Sequence, residues 1–294
     1  MKNFKLILIM FLGTFLFACE DEVVDPIITV TPPATYTFER GGQTTVSYSG
    51  QSARLEMAGE LSVWLNTPTK TAAELDEMFN SGTGFGNPGL AASGKKLGNK
   101  TASSSIASST VKPQFDALIT DVTSNVFPNV ANDASTGTPG TYTDPGGRTV
   151  IINGKGHEIN QLFTKGLMGA LVCDQIIWGY LSNSKLDAGT NVADNDAGTL
   201  VDGKNYTTME HYWDEGFGYL YGLDTDITNS SIEGPDVLVS KYLKKVDGSS
   251  LPGIAQEIYD AFKHGRAAIV AGAYDLRDEQ AEIVKTKLSH IIGR

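Results

Sequence analysis

The segment TTMEHYWDEGFGYLYG, residues 207–222, holds the side chains of this chain that are best suited to chemistry. It contains one histidine, three carboxylates and five aromatic residues. Helical winding of about 100° per residue places His211, Asp214 and Glu215 on one side, with Glu210 at the edge of that sector. An imidazole with carboxylates one turn away suits a divalent cation such as iron or calcium. The same spacing suits an ion pair on a solvated helix, so both interpretations stay open.

Local signals place this segment on a helix and orient it. Thr207 and Glu210 have the spacing of a capping box, which predicts that the helix begins near Thr208. Trp213 and Phe217 point away from the carboxylates and are predicted to lie in the core. Gly218, on the same side as His211, would let another element of the fold approach closely.

Two further places are secondary metal candidates. His157 and Glu158 follow the turn NGKG and open a long apolar segment, where they could cap the helix or bind a metal. Asp194 and Asp196 resemble the start of a calcium-binding loop. In that loop, however, the glycine comes one place early and Asn205 stands where the bidentate glutamate belongs.

Recognised catalytic motifs are absent from the sequence, which contains no GxSxG, HExxH or P-loop pattern. Cys173 lies in an apolar stretch and is predicted to be a buried thiol rather than a nucleophile. We therefore expect a protein that is not an enzyme. The remaining enzymatic hypothesis is acid/base catalysis by Asp214 and Glu215, which needs a cleft and a raised carboxyl pKa.

The N-terminus has the pattern of an export signal. Lys2 and Lys5 precede an apolar run, residues 6–17, and the run ends at the sequence LFAC. This arrangement resembles a bacterial lipoprotein signal, in which residues 1–18 are removed and Cys19 becomes lipidated. Acylation of Cys19 would anchor the protein in a lipid bilayer.

Residues 19–35 have the composition of a tether, because they begin with Glu-Asp-Glu and contain three prolines. Acidic residues directly after a lipidated cysteine resemble the surface-export signal of Bacteroidota lipoproteins, although a solvated linker would look the same. The sequence thus predicts attachment to the cell outer membrane, with the domain on the periplasmic side or on the cell surface.

The chain is acidic, with a formal net charge of −11. Removal of residues 1–18 takes away two lysines and leaves 21 basic against 34 acidic residues. Such a surface excludes nucleic acid as a natural partner and favours cations.

Hydrophobic periodicity predicts an all-α fold for residues 36–294, built as a helical bundle or as two stacked bundles. Helical spacing recurs in most segments after residue 50, including a long apolar one at residues 158–181. The polar loop 182–204 is the candidate boundary between two subdomains. Residues 34–48 contain Gly41-Gly42 and are predicted to form a short extended arm or hairpin.

Four blocks of sequence carry a resemblance to a known family. They are YTFERGGQTTVSYSGQSARLEMAGEL, GHEINQLFTKGLMGALVCDQ, DAGTNVADNDAGTLVDGKNYTTMEHYWDEGFGYLYG and GIAQEIYDAFKHGRAAIV. In this order they resemble an uncharacterised helical domain family of Bacteroidota lipoproteins with a MEHxWDEGFGY-type signature. That family is similar in character to imelysin-like envelope proteins, which are implicated in iron handling and carry a GxHxxE motif.

The metal motif of those proteins does not transfer to this chain. Asn160 stands three places after His157, and Met209 stands two places before His211, where the motif has glycine. The resemblance therefore implies a lipoprotein with a helical domain of unknown biochemical role.

These observations predict a non-enzymatic, membrane-anchored binding protein for a cation or metal complex, contacted by His211, Asp214, Glu215 and Glu210. The alternative is a scaffold with an envelope protein partner, in a surface complex that captures glycans or peptides. That hypothesis needs Tyr212, Tyr219 and Tyr221 to be exposed as a stacking surface.

Overall fold

The computed structural model describes residues 29–231 and 238–292. The predicted signal peptide, Cys19 and the first part of the tether lie outside the described residues. Their assignment stays a prediction.

Helices dominate the described residues and confirm the all-α fold class. The α-helices are α1 Ser49–Trp64, α2 Ala72–Asp76, α3 Pro88–Ala92, α4 Ser108–Asp121, α5 Ile159–Leu167, α6 Asn183–Leu186, α7 Asn191–Asp196, α8 Thr208–Tyr221, α9 Leu238–Asp247, α10 Ile254–Val270 and α11 Tyr274–Ile292. Shorter turns of other pitch are π-helical at Glu77–Ser81 and Val122–Val126 and 3₁₀ at Phe127–Asn129. The buried apolar side chains form a hydrophobic cluster to which elements on both sides of the loop 182–204 contribute. The subdivision of the domain at that loop stays a prediction.

Two small antiparallel hairpins accompany the helices. The first joins β1 Glu39–Arg40 to β2 Gln43–Thr44, which confirms the predicted arm. Its turn residues Gly41 and Gly42 have φ of 61° and 74°, as a two-residue turn of type I′ requires. The second joins β3 Gly140–Thr143 to β4 Thr149–Ile152, and the sequence analysis did not predict it. Its strands are rich in Thr, Val and Ile, which favour strands. They are short and lie among glycines and prolines, so the sequence pattern did not indicate them.

The long apolar segment is not one regular α-helix as predicted. After α5 the chain widens into a π-helix, Met168–Tyr180, here called the π segment. Side chains five places apart then face the same way, because the hydrogen bonds run from i to i+5. Gln175 and Tyr180 consequently both contact Lys100. Gln175 Nε2 donates to the Lys100 carbonyl, and the Lys100 ammonium donates to the Tyr180 hydroxyl.

Helix α8 begins where its capping box predicted. The Thr207 hydroxyl accepts from the Glu210 amide, and the Glu210 carboxylate accepts from the Thr207 amide. Trp213 is fully buried and donates from its indole N–H to the Phe262 carbonyl at 2.9 Å. A Cβ on Gly218 would lie 2.3 Å from Tyr48 Cβ, so the glycine is what lets the start of α1 close against α8.

Within residues 29–231 and 238–292, none of the helices has the length and apolar character needed to cross a bilayer.

Candidate functional site

The four predicted ligands of α8 separate into two pairs. Glu210 and Asp214 are 1% and 0% exposed and face the N-terminal hairpin and α10. The side chains of His211 and Glu215 are 28% and 18% exposed and face α1. Each pair is spaced four residues apart, so each follows its own stripe along the helix. In the described part of the chain no three His, Cys, Asp or Glu side chains are grouped to hold an ion. A metal site made by all four residues stays a prediction.

The first pair is neutralised by a buried arginine of α10. Arg266 donates from Nε to Asp214 Oδ1 at 3.1 Å and from Nη1 to Glu210 Oε1 at 3.1 Å. Its remaining Nη2 donates to the Thr45 hydroxyl at 3.0 Å. Each of the three guanidinium nitrogens thus has a partner, and the positive charge held between the two carboxylates opposes the binding of a cation there.

The N-terminal arm completes this buried network. Arg40 of the first hairpin donates to both oxygens of Glu210, at 3.2 and 3.0 Å, in a bidentate pair. The Tyr36 hydroxyl donates to Asp214 Oδ1 at 2.8 Å, and the Ser47 amide donates to Asp214 Oδ2 at 3.3 Å. The arm that follows the predicted tether is thereby fastened to the centre of the bundle.

Burial and charge act against each other on these carboxyls. Burial raises the pKa of Asp214 to about 6, although Arg266 and the hydrogen bonds from Tyr36 and Ser47 oppose the rise. Burial also acts to raise the pKa of Glu210, but the two arginines and the Thr207 amide outweigh it and hold that pKa below its ordinary value.

The second pair lies in more open surroundings. His211 stacks on Tyr206 with ring centres 4.5 Å apart, and its Nε2 is 3.9 Å from Glu215 Oε1. Burial lowers the pKa of His211 despite the nearby Glu215 carboxylate, and the charges of Lys204 and Lys95 act in the same direction as burial. The imidazole is therefore neutral at pH 7. Glu215 accepts from Gln51 Nε2 at 2.9 Å.

Beside Glu215 the surface opens into a recess of about 290 Å³. It lies between the segment 100–104, the π segment and the start of α6. Its lining is polar and cationic, with Lys100, Ser103, Ser104, Gln175, Trp178, Gly179, Tyr180, Ser182, Ser184 and Lys185.

The recess carries a concentration of positive charge. Lys100 donates to the Tyr180 hydroxyl at 3.3 Å, and Lys185 Nζ lies 4.1 Å from the Tyr212 ring centre. Burial lowers the pKa of Lys100, and the charges of Arg54, Lys185 and other cations lower it further, against the Glu215 carboxylate. These cations repel one another, so the bound state that relieves the repulsion is an anionic one.

Two buried polar side chains, Gln51 and Tyr219, lie behind Tyr180 of the recess lining. Gln51 hydrogen-bonds with Tyr180, and Tyr219 hydrogen-bonds with Arg54. Tyr219 packs against Tyr180 with ring centres 6.0 Å apart.

The secondary candidates near residue 157 lie elsewhere and serve the second hairpin. The His157 amide donates to Asn153 Oδ1 at 2.9 Å, and the Asn153 amide donates to the His157 carbonyl at 3.0 Å. Glu158 forms an ion pair with Arg148. Neither side chain approaches α8 as a ligand.

The segment that resembles the start of a calcium-binding loop is helical. Asp194 and Asp196 belong to α7, and two residues apart on a helix they point to nearly opposite sides. The Asp194 carboxylate accepts from the Thr190 hydroxyl at 2.6 Å, and the Asp196 carboxylate accepts from the Tyr274 hydroxyl at 2.5 Å.

The scaffold hypothesis needs exposed tyrosines on α8. Of the three tyrosines of this helix, Tyr219 and Tyr221 are buried and Tyr212 is partly exposed. The residues that sequence reasoning missed are cations, chiefly Arg266, Arg54 and Lys100. A signal for Arg266 was present, because it stands within the apolar run of α10 where an unpaired charge would be costly.

The protein is an all-α protein. Its helices enclose a buried ion network, and a cationic recess opens at its surface. A family model described as a domain of unknown function, DUF4856, matches residues 33–294. The chain belongs to this family, which confirms the predicted membership of an uncharacterised domain family. No curated protein matches the chain, and no solved structure matches it.

Proposed function

We propose that this chain is a membrane-tethered, non-enzymatic binding protein whose ligand is a small anion held in the recess. The supporting observation is that Lys100 and Lys185 both line one polar hollow of a protein whose net charge is −11, with the buried Arg54 guanidinium close enough to lower the pKa of Lys100. A cluster of cations in an acidic protein calls for a local explanation, and an anionic ligand that binds to the cluster provides it.

The lysines of the recess are free to bind. Among residues 29–231 and 238–292, neither Lys100 nor Lys185 forms an ion pair with a carboxylate. Arg54 donates to two backbone carbonyls, at 3.0 and 3.3 Å, and keeps its charge uncompensated by a direct carboxylate contact. An ammonium with open donors binds carboxylate, sulfate or phosphate oxygens.

A cation such as iron or calcium is the competing ligand class. Two of its four predicted contacts, Glu210 and Asp214, are occupied by arginines. The other two, His211 and Glu215, lie within the field of Lys95, Lys204 and Lys100. That field opposes a second positive charge, so we favour the anion.

Binding is favoured over catalysis by the state of the reactive groups. Burial raises the pKa of the Cys173 thiol to about 12, which leaves no thiolate at neutral pH. Asp214 has a raised pKa but is enclosed by its arginine and tyrosine partners rather than open to a substrate.

The test is calorimetric titration of the full chain in detergent with sulfate, phosphate, calcium and ferrous ions. We expect the anions to bind, and the double variant Lys100→Gln/Lys185→Gln to lose about tenfold or more, since each charge-assisted bond contributes about 1.5–3 kcal/mol. The control, Lys112→Gln/Lys285→Gln, removes the same charge outside the recess and should change affinity less than about twofold.

Binding of calcium or ferrous ion that His211→Ala abolishes, without any anion binding, would instead restore the cation hypothesis. If the control double variant weakens anion binding as much as the recess double variant does, the loss reflects the overall charge of the protein and not a site in the recess.

Membrane attachment is tested separately. Cells supplied with a labelled fatty acid should incorporate it into the parent chain and not into Cys19→Ala, and only the parent should sediment with membranes. Equal labelling of both chains would contradict the proposed anchor.

A further inference from the structure

An exposed tryptophan stands at the edge of the recess. Trp178 lies on the π segment, lines the recess and is 64% exposed, whereas Trp213 is fully buried and Trp64 is partly buried. A single exposed apolar side chain is common on protein surfaces and by itself indicates nothing. The position of this one, next to free lysines and several hydroxyl groups, is the informative feature.

The backbone holds this indole at a fixed distance from the polar lining. Trp178 is followed by Gly179, where a Cβ would lie 2.8 Å from the Ser104 hydroxyl, so the π segment and the segment 100–104 pack without a gap. Gln175 Nε2 reinforces the contact by donating to the hydroxyls of Ser103 and Ser104, at 3.0 and 2.9 Å. The tryptophan therefore projects from a packed wall and not from a loose loop.

The combination of groups matches one kind of ligand. A pyranose ring presents an apolar face of C–H groups, and the electron-rich face of an indole attracts the partial positive charge of those hydrogens. Ring hydroxyls exchange hydrogen bonds with serine and glutamine side chains. An acidic substituent on the ring would pair with Lys100 and Lys185.

We propose that the recess binds an anionic pyranose, a sugar ring that carries a carboxylate or a sulfate, with Trp178 as its stacking platform. This proposal rests on the proposed function and adds the ligand class. The volume of about 290 Å³ lies at the lower end for ligand sites, which fits one sugar ring rather than an extended chain within the recess.

The experiment compares four probes on the full chain in detergent: methyl β-glucuronide, glucose 6-sulfate, methyl β-glucoside and inorganic sulfate. The two acidic sugars distinguish a carboxylate from a sulfate as the anionic group. We expect at least one of them to bind about tenfold more tightly than the neutral glucoside, a difference of about 1.4 kcal/mol.

Variants at Trp178 separate stacking from charge. Trp178→Ala should weaken the acidic sugar about tenfold and leave inorganic sulfate, which has no apolar face, within about twofold. Trp178→Phe should recover part of the loss, because it restores an aromatic face. Tyr142→Ala is the matched control, since Tyr142 is 44% exposed on the second hairpin, away from the recess.

A spectroscopic readout adds an independent check. Acidic sugar should protect tryptophan fluorescence from iodide quenching in the parent and not in Trp178→Phe, because Trp213 is already buried.

The outcomes separate this proposal from the one on which it rests. If the parent binds sulfate but none of the sugars more tightly, or if Trp178→Ala keeps full affinity for the acidic sugar, the sugar proposal is overturned and the anion site stands. If neither sulfate nor acidic sugar binds, both proposals fall. If Trp178→Ala changes only self-association, which sedimentation measures, the indole belongs to a protein contact and the sugar proposal is likewise overturned.

Discussion

Replacement of Arg266 by methionine is expected to destabilise the fold far more than removal of an exposed cation. The guanidinium is 0% exposed and binds Asp214, Glu210 and Thr45. Methionine matches the length of the arginine stem but offers no donor. The variant therefore leaves two buried carboxyls without their common partner.

The magnitude follows from what each carboxyl keeps. Glu210 retains its bidentate contact with Arg40, so the larger part of the cost falls on Asp214. Asp214 retains only the Tyr36 hydroxyl and the Ser47 amide. Breaking a buried ion pair by removing one partner costs about 3–5 kcal/mol, and we expect Arg266→Met to lose that amount at pH 7.

The assay is urea unfolding followed by far-ultraviolet circular dichroism, with Lys112→Met as control. Lys112 pairs with Asp116 on the surface of α4, and such a pair contributes no more than about 0.5 kcal/mol. Addition of Asp214→Asn to Arg266→Met should recover about 1 kcal/mol or more, because it removes the orphaned charge. A loss below about 1 kcal/mol in Arg266→Met, or a further loss in the double variant, would refute the reasoning.

Two further predictions concern a buried carboxyl of α8 and the packing of α10 against α8. Because burial raises the pKa of Asp214 to about 6 from 3.8, the folded protein holds this proton more tightly than the unfolded chain does, so the stabilisation is complete below about pH 4 and is lost as pH rises through about 6. Unfolding at several pH values should show the parent losing on the order of 3 kcal/mol relative to Asp214→Asn over that window, and a constant difference would contradict it. Gly265→Ala would place a Cβ 2.1 Å from Trp213 Cζ2 and should cost about 2 kcal/mol or more, whereas Gly169→Ala, which meets nothing within 4 Å, should change stability by less than about 1 kcal/mol. Equal thermal shifts for the two alanines would show that the glycine contact is unimportant.

Much of the fold was predictable because local signals agreed with tertiary packing. The capping boxes at Thr71 and Thr207 mark real helix starts, and the Gly41-Gly42 pair marks a real hairpin turn. The π segment was not predictable from periodicity, because a pattern measured against 3.6 residues per turn cannot reveal the wider winding. The second hairpin was not predicted for a similar reason. Its strands of four residues are too short to show the alternation of apolar and polar residues that indicates a strand.

The division of the α8 carboxylates was the main failure of sequence reasoning about the site. Angular spacing placed His211, Asp214 and Glu215 on one side of the helix, and that geometry is compatible with the structure. Spacing does not tell which neighbour covers each position. Arg266 and Arg40 come from segments distant in sequence, so their contacts with α8 are seen only in the structure. They cover Glu210 and Asp214, whereas His211 and Glu215 stay partly exposed.

The overall charge of the chain says little about the charge inside one recess, for a related physical reason. The excess of acidic residues is a property of the whole surface, and solvent and salt screen most of it beyond about 10 Å. Within the recess, what a ligand meets is set by the nearest groups, here the lining lysines Lys100 and Lys185, while the buried Asp174 carboxylate accepts from Ser104 and Gln175 of the lining. An acidic exterior around a cationic recess repels an anion at long range. The lysines attract the anion only once it has entered the recess. The proposed site should therefore bind its ligand slowly at low ionic strength and faster as salt screens the exterior, the opposite of the trend for a site whose charge matches its surroundings.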